Sequence, residues 1–97
     1  MSIDGNWEVT YTSQLGVTHS VWTFTTDGSS LAGYGAGDGN RLEFSKGKAD
    51  GDGFEFEMEL QPKVMLKVSG TVDGDTIAGG GKISIIKAGT FEGKRVV

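Results

Sequence analysis

Four Asp-Gly pairs stand 23 residues apart in this chain, at Asp4-Gly5, Asp27-Gly28, Asp50-Gly51 and Asp73-Gly74. An Asp-Gly pair between runs of alternating apolar residues predicts a β-hairpin, because both central residues of a type I′ turn need positive φ. Leu31, Phe54 and Ile77 recur in register after three of the pairs, and Trp7 falls one position earlier in the first unit. A second turn signal lies midway through each unit, at Ser13-Gln14-Leu15-Gly16, Gly37-Asp38-Gly39-Asn40, Gln61-Pro62-Lys63 and Lys87-Ala88-Gly89. Each unit therefore reads as strand, turn, strand, turn, and four units give eight strands. A regular meander and an ancestral duplication would both produce this spacing.

The strands alternate with period two. Phe54, Phe56, Met58 and Leu60 share one face of the fifth strand, with Glu55, Glu57 and Glu59 on the other. Val64, Leu66, Val68, Gly70 and Val72 form the apolar face of the sixth. Trp7, Val9 and Tyr11 play that part in the first, and Leu42 and Phe44 in the fourth. No segment has a helical period. Eight short strands paired in sequence must hide one apolar face and two sheet edges, and closure into a barrel does both. The expected fold is all-β: an eight-stranded antiparallel up-and-down β-barrel of four hairpin units of about 23 residues, with residues 1–97 forming a single domain.

Composition narrows the function classes. Seventeen glycines and the single Pro62 suit strands joined by tight turns, and the aromatic and β-branched content argues against disorder. The net charge is −4 and no run of Lys or Arg occurs, so no nucleic-acid partner is expected. There is no cysteine, hence no disulfide, no thiolate metal site and no cysteine nucleophile. The start, Met-Ser-Ile-Asp, has no basic-then-apolar signal, and no apolar stretch nears the roughly 20 residues that span a bilayer. A cytoplasmic protein without a membrane partner is the expectation, with a domain excised from a secreted parent as the alternative.

Gly5-Asn6-Trp7 on the first strand, with Arg95 near the end of the last, resembles the lipocalin and calycin pattern. That resemblance implies a tryptophan plugging the closed end and a late arginine packed over it. The chain is also similar to small bacterial calycin-like domains of uncharacterised role. The resemblance runs through Thr26-Asp27-Gly28 with Leu31 and Gly33, Gly47 with Phe54 and Phe56, Gly70 to Ile77 with Gly79, and Phe91-Glu92-Gly93-Lys94-Arg95. Asp27-Gly28, Leu31, Gly33 and Tyr34 look like the avidin succession too. The later tryptophans of an avidin biotin site have no counterpart after Trp22, so biotin binding is not implied.

The Asp-Gly turns should all lie at one end, which Trp7 and Arg95 close. Any mouth is then at the other end, and barrel mouths recurrently take ligands. The candidate ligand-binding residues are Tyr11, Trp22, Phe24, Leu42, Phe44, Phe56, Met58, Leu60, Val64 and Leu66. Leu31, Gly33, Gly35 and Gly37 on the third strand, and Ile77 then Gly79-Gly80-Gly81 on the seventh, either leave room inside or let bulk from neighbouring strands fill it.

His19 is the one weak catalytic candidate, but parity with Trp22 and Phe24 turns it outward. The stripe Glu55, Glu57, Glu59 reads as a solvated wall, with Lys67 and Arg41 as cross-strand partners. Neither a cofactor nor a metal is expected: the Asp-Gly clusters lack the terminal glutamate of a calcium loop. Val17, Val21, Tyr34, Met65 and Ile86 fall on outer parities, and such an apolar patch suggests a homo-oligomer. Three roles remain: a module binding a small, largely apolar ligand in or at the mouth; a cofactor-independent isomerase, cyclase or hydratase; and a filled barrel serving assembly.

Overall fold

The computed structural model describes residues 3–14, 16–37, 39–84 and 86–96, without the side chains of Asn40, Leu60 and Gln61. The described residues form eight strands: β1 (Gly5–Ser13), β2 (Gly16–Asp27), β3 (Ser30–Gly37), β4 (Asn40–Asp50), β5 (Gly53–Gln61), β6 (Val64–Asp73), β7 (Thr76–Ile83) and β8 (Ile86–Arg95). They pair antiparallel in sequence order, and β8 returns to β1 to close the barrel. The closing seam runs from Trp7 opposite Arg95 to Thr12 opposite Thr90. Closure leaves no sheet edge open to another chain.

The Asp-Gly turns differ from the expected type. Asp27 pairs with Ser30, Asp50 with Gly53 and Asp73 with Thr76, so each aspartate ends its strand and the glycine opens a two-residue loop. Gly28, Gly51 and Gly74 have φ of 63°, 61° and 61°, while the residues after them stay at negative φ. Positive φ at the first central position alone is the mark of a type II′ loop, for which glycine in that place is the requirement.

These turns also strap one unit to the next. The carbonyls of Ser29, Asp52 and Asp75 accept from the backbone N–H of Ala49, Val72 and Arg95, at 2.9, 2.8 and 2.9 Å. Donors and acceptors alike step by 23 residues, so the period in the sequence is a period in the hydrogen bonding. Asp4-Gly5 is not a turn of this kind, because Gly5 opens β1. There the Asp4 carboxylate takes over, accepting from the Thr26 N–H at 2.6 Å and the Thr26 hydroxyl at 2.8 Å.

At the other end the last strand pairs before the loops are Ser13–Gly16, Gly37–Asn40, Gln61–Val64 and Ile83–Ile86. The fourth loop is therefore not at Lys87-Ala88-Gly89, which lies inside β8. An extra residue in β8 between Lys87 and Thr90 shifts the register there, and Gly89 takes φ of 115°. A similar irregularity in β4 places Lys46 at φ 52°, and a third falls between Glu59 and Gln61 in β5. Each bulge reverses side-chain parity along its strand. Hence Phe44 and Ala49, five residues apart on β4, both face the core.

Six aromatic rings fill the middle. Trp22 meets Phe24, Phe44, Phe56 and Phe91 with centroids 4.9–6.2 Å apart, and Phe44 stacks on Phe56 at 4.0 Å. The inward glycines make room for them. A Cβ on Gly35 would stand 2.9 Å from the Trp22 ring, and one on Gly70 2.8 Å from Phe91. Glycine here is the small half of a large–small pair, so missing side chains become packing and not empty space.

Candidate functional site

The two ends of the barrel are built differently. At the Asp-Gly end Trp7 is 0 % exposed, and its indole N–H donates to the Ile3 carbonyl at 2.8 Å. The Arg95 guanidinium lies over the Trp7 ring, 4.3 Å from its centroid. It also donates to the Asp4 carbonyl at 2.7 Å and pairs with the Asp75 carboxylate at 3.2 Å. Apolar, aromatic and ionic contacts together shut this end. A recess of about 230 Å³ remains beside it, floored by Ile3, Ala49, Phe54 and Val72.

The opposite end is looser. Leu42 pairs with Gly35, whose inner side abuts Trp22, so Leu42 is on the inner face of β4; yet it is 39 % exposed. Ile83 packs against the core, and Ile86 opposite it is 68 % exposed. The bulge in β8 thus brings Ile86 to the inner side of the rim, where simple parity had put it outside. Val64 is half-buried at the same height. Tyr11 lies just below, donating its hydroxyl to the Ala88 carbonyl at 2.6 Å, and burial pushes its phenol pKa up. An apolar inner face thus meets water at this mouth.

The residues singled out from the sequence fall into two groups. Trp22, Phe24, Phe44, Phe56, Met58 and Leu66 are buried within the packed core. Tyr11, Leu42 and Val64 are at the mouth, and the side chain of Leu60 lies outside the described residues. Sequence reading missed Ile83 as a rim residue, because its strand was taken as far as the glycines only.

The outer wall carries a groove of about 860 Å³ that runs across β3, β2, β1, β8 and β7. Its lining includes Glu8, Thr10, His19, Val21, Ala36, Ala78, Glu92 and Lys94. His19 is exposed here, with its Nδ1 3.2 Å from the Thr10 hydroxyl. Among the described residues no carboxylate hydrogen-bonds to the imidazole, which leaves it without the partner that general acid–base work needs. No group of three or more His, Cys, Asp or Glu among the described residues could hold a metal ion. Arg41 pairs with Glu43 at 3.0 Å, not with the β5 stripe, and lies over the Tyr34 ring at 3.8 Å. Glu57 takes Lys46 at 3.9 Å and stands opposite Lys67 in register. Val17 and Val21, 56 % and 40 % exposed, line the outer face of β2 with Ala36 opposite Val21; Met65 is on a different part of the wall.

No family model matches the chain, and no curated protein matches it. A solved structure of a redesigned β-barrel is similar over 98 % of this chain and 92 % of that one, with a TM-score of 0.66 at 19 % identity. Likeness at that identity establishes the fold, an eight-stranded antiparallel β-barrel, and nothing about a ligand. The calycin and lipocalin kinship is not among what these comparisons establish.

Proposed function

We propose that this protein is a small binding module that takes a small, largely apolar molecule across the mouth of its barrel. One observation carries the reading: Leu42 is on the inner face yet 39 % exposed, at an end where Tyr11 and Val64 are half-buried. Among the described residues, no aliphatic side chain of the core at the sealed end is so exposed. The filled middle argues that the ligand rests on the mouth and does not enter, so its bulk is held from one side only. Tyr11, Leu42, Val64, Ile83 and Ile86 form the apolar seat. The tied Tyr11 hydroxyl gives that seat a fixed edge.

A thermal-shift screen against hydrophobic metabolites tests this, because a ligand that binds only the folded state must raise its stability, by about 2.7 kcal/mol at 100 times its Kd. A hit whose shift disappears in Leu42→Ser supports the reading. Hits that ignore Leu42→Ser, or no hit across a broad library, count against it.

The apolar outer face of β2 supports a second reading, self-association through Val17 and Val21. Light scattering decides it: a dimer or larger species that Val21→Arg converts to monomer is the expected result. A wild-type monomer at high concentration removes it.

A further inference from the structure

We propose that the mouth pole docks on the surface of an anionic lipid bilayer. The proposal goes beyond a free ligand at the mouth and starts from where the charges lie. Each of the four aliphatic residues of the seat has a cation beside it in the chain: Arg41 by Leu42, Lys63 by Val64, Lys82 by Ile83 and Lys87 by Ile86. On a strand, neighbours point to opposite faces. Arg41, Lys82 and Lys87 are therefore outside their aliphatic neighbours, Arg41 in its pair with Glu43, while Lys63 stands in the loop before β6 at φ 69°. The rim is an inner set of aliphatic side chains with positive charge around it.

The lysines are placed at some cost. Lys82 stands directly opposite Lys87 on β8 and opposite Lys67 on β6, so three like charges share one row of the wall. Like charges directly opposite each other are destabilising. Among the described residues no ion pair holds Lys63, Lys82 or Lys87. A negatively charged surface against the rim relieves that repulsion.

The two poles differ in sign. Within three residues of the mouth loops, and in those loops, the chain has the bases Arg41, Lys63, Lys82 and Lys87 and the acids Asp38 and Glu59. The same span around the Asp-Gly loops has Asp27, Asp50, Asp52, Glu55, Asp73 and Asp75 against Lys48. A protein of net charge −4 would be repelled by an anionic surface in most orientations; this polarity turns the mouth toward it. Basic side chains at such a surface and aliphatic ones entering the headgroup layer reinforce each other. A nucleic acid would satisfy the cations but gives Leu42 and Ile86 nothing to enter. The wall itself is not built to face lipid: Glu55, Glu57, Lys67 and Glu92 lie on it, where a spanning barrel needs an apolar band. Contact at one pole requires no spanning segment.

Vesicle co-sedimentation tests the proposal on the full chain, with phosphatidylcholine alone and with about one third phosphatidylserine. Binding to the anionic vesicles should exceed binding to neutral ones by about tenfold at low salt, and fall as salt shortens the screening length. The variant K63E/K82E/K87E should lose it. Leu42→Ser with Ile86→Ser should weaken it, and D50N/D52N at the far pole should leave it unchanged. All these sites are exposed, and circular dichroism of each variant confirms its fold. Equal binding to both vesicle types, no binding to either, or full binding by the lysine variant overturns the proposal. So does equally tight binding to heparin at the same salt, which would mark a generic polyanion contact. Thermal shifts by free ligands are read without vesicles, so the loss of one interaction leaves the other measurable.

Discussion

At the residue scale, the molecule is governed by large–small pairs across its core. Trp22 occupies the space that Gly35 leaves, and Phe91 and Phe54 crowd Gly70. Gly35→Ala puts a methyl 2.9 Å from the indole, so the ring must move, at a cost of about 1–3 kcal/mol. Chemical denaturation should register that loss, and near-ultraviolet circular dichroism should change with it; an unperturbed spectrum and midpoint would mean the core has slack. Tyr11 gives a prediction in pH. Burial raises its phenol pKa in the folded state, so the folded protein holds its proton where the unfolded chain gives it up. Stability is then fully present below about pH 10 and declines as pH rises from there through the raised folded value. Tyr11→Phe should flatten this decline, at a loss of about 1 kcal/mol near neutrality from the missing bond to Ala88. The aromatic positions were legible in the sequence by alternation. Which glycine serves which ring was not, because the pairing depends on barrel shear and not on spacing within one strand.

At the element scale, four hairpins are joined by one recurring bond. The 23-residue step announced the hairpins, and the same step places Ser29, Asp52 and Asp75 beneath Ala49, Val72 and Arg95. Asp4 supplies the acceptor for the first unit with a side chain. Asp4→Ala should therefore cost about 1 kcal/mol, with Asp4→Asn intermediate since it keeps an acceptor, as read from denaturant midpoints. Hydrogen exchange at Thr26 should accelerate in the alanine variant while Val72 stays protected; equal effects at both would break the proposed equivalence. What the sequence hid at this scale were the bulges. Lys46 adopts φ 52° although nothing in its residue type signals it, and the irregularity at 87–90 moved a turn signal into the body of β8. Glycine at position 89 looked like a turn residue and serves a bulge, because both uses need the same positive φ.

At the scale of the whole molecule, eight strands close on themselves and leave two unlike poles. The Asp-Gly pole is acidic and shut by Trp7 and Arg95; the other presents Leu42 and Ile86 among cations. The polarity of the barrel could be drawn from the turn spacing alone, and the outward turn of His19 from its parity with Trp22 and Phe24. The state of the interior could not, since glycines on inner faces are equally compatible with a cavity and with rings from neighbouring strands.

The central claim is a filled barrel whose apolar seat is at its mouth. Methyl NMR with benzene as a small apolar probe tests it most directly, because benzene enters genuinely empty apolar cavities. Ring-current shifts should appear at Leu42, Val64, Ile83 and Ile86 and leave Val9, Val68 and Ile77 in place. Shifts centred on Val68 and Ile77 would show an interior open to ligand, and the account of a filled barrel would be wrong.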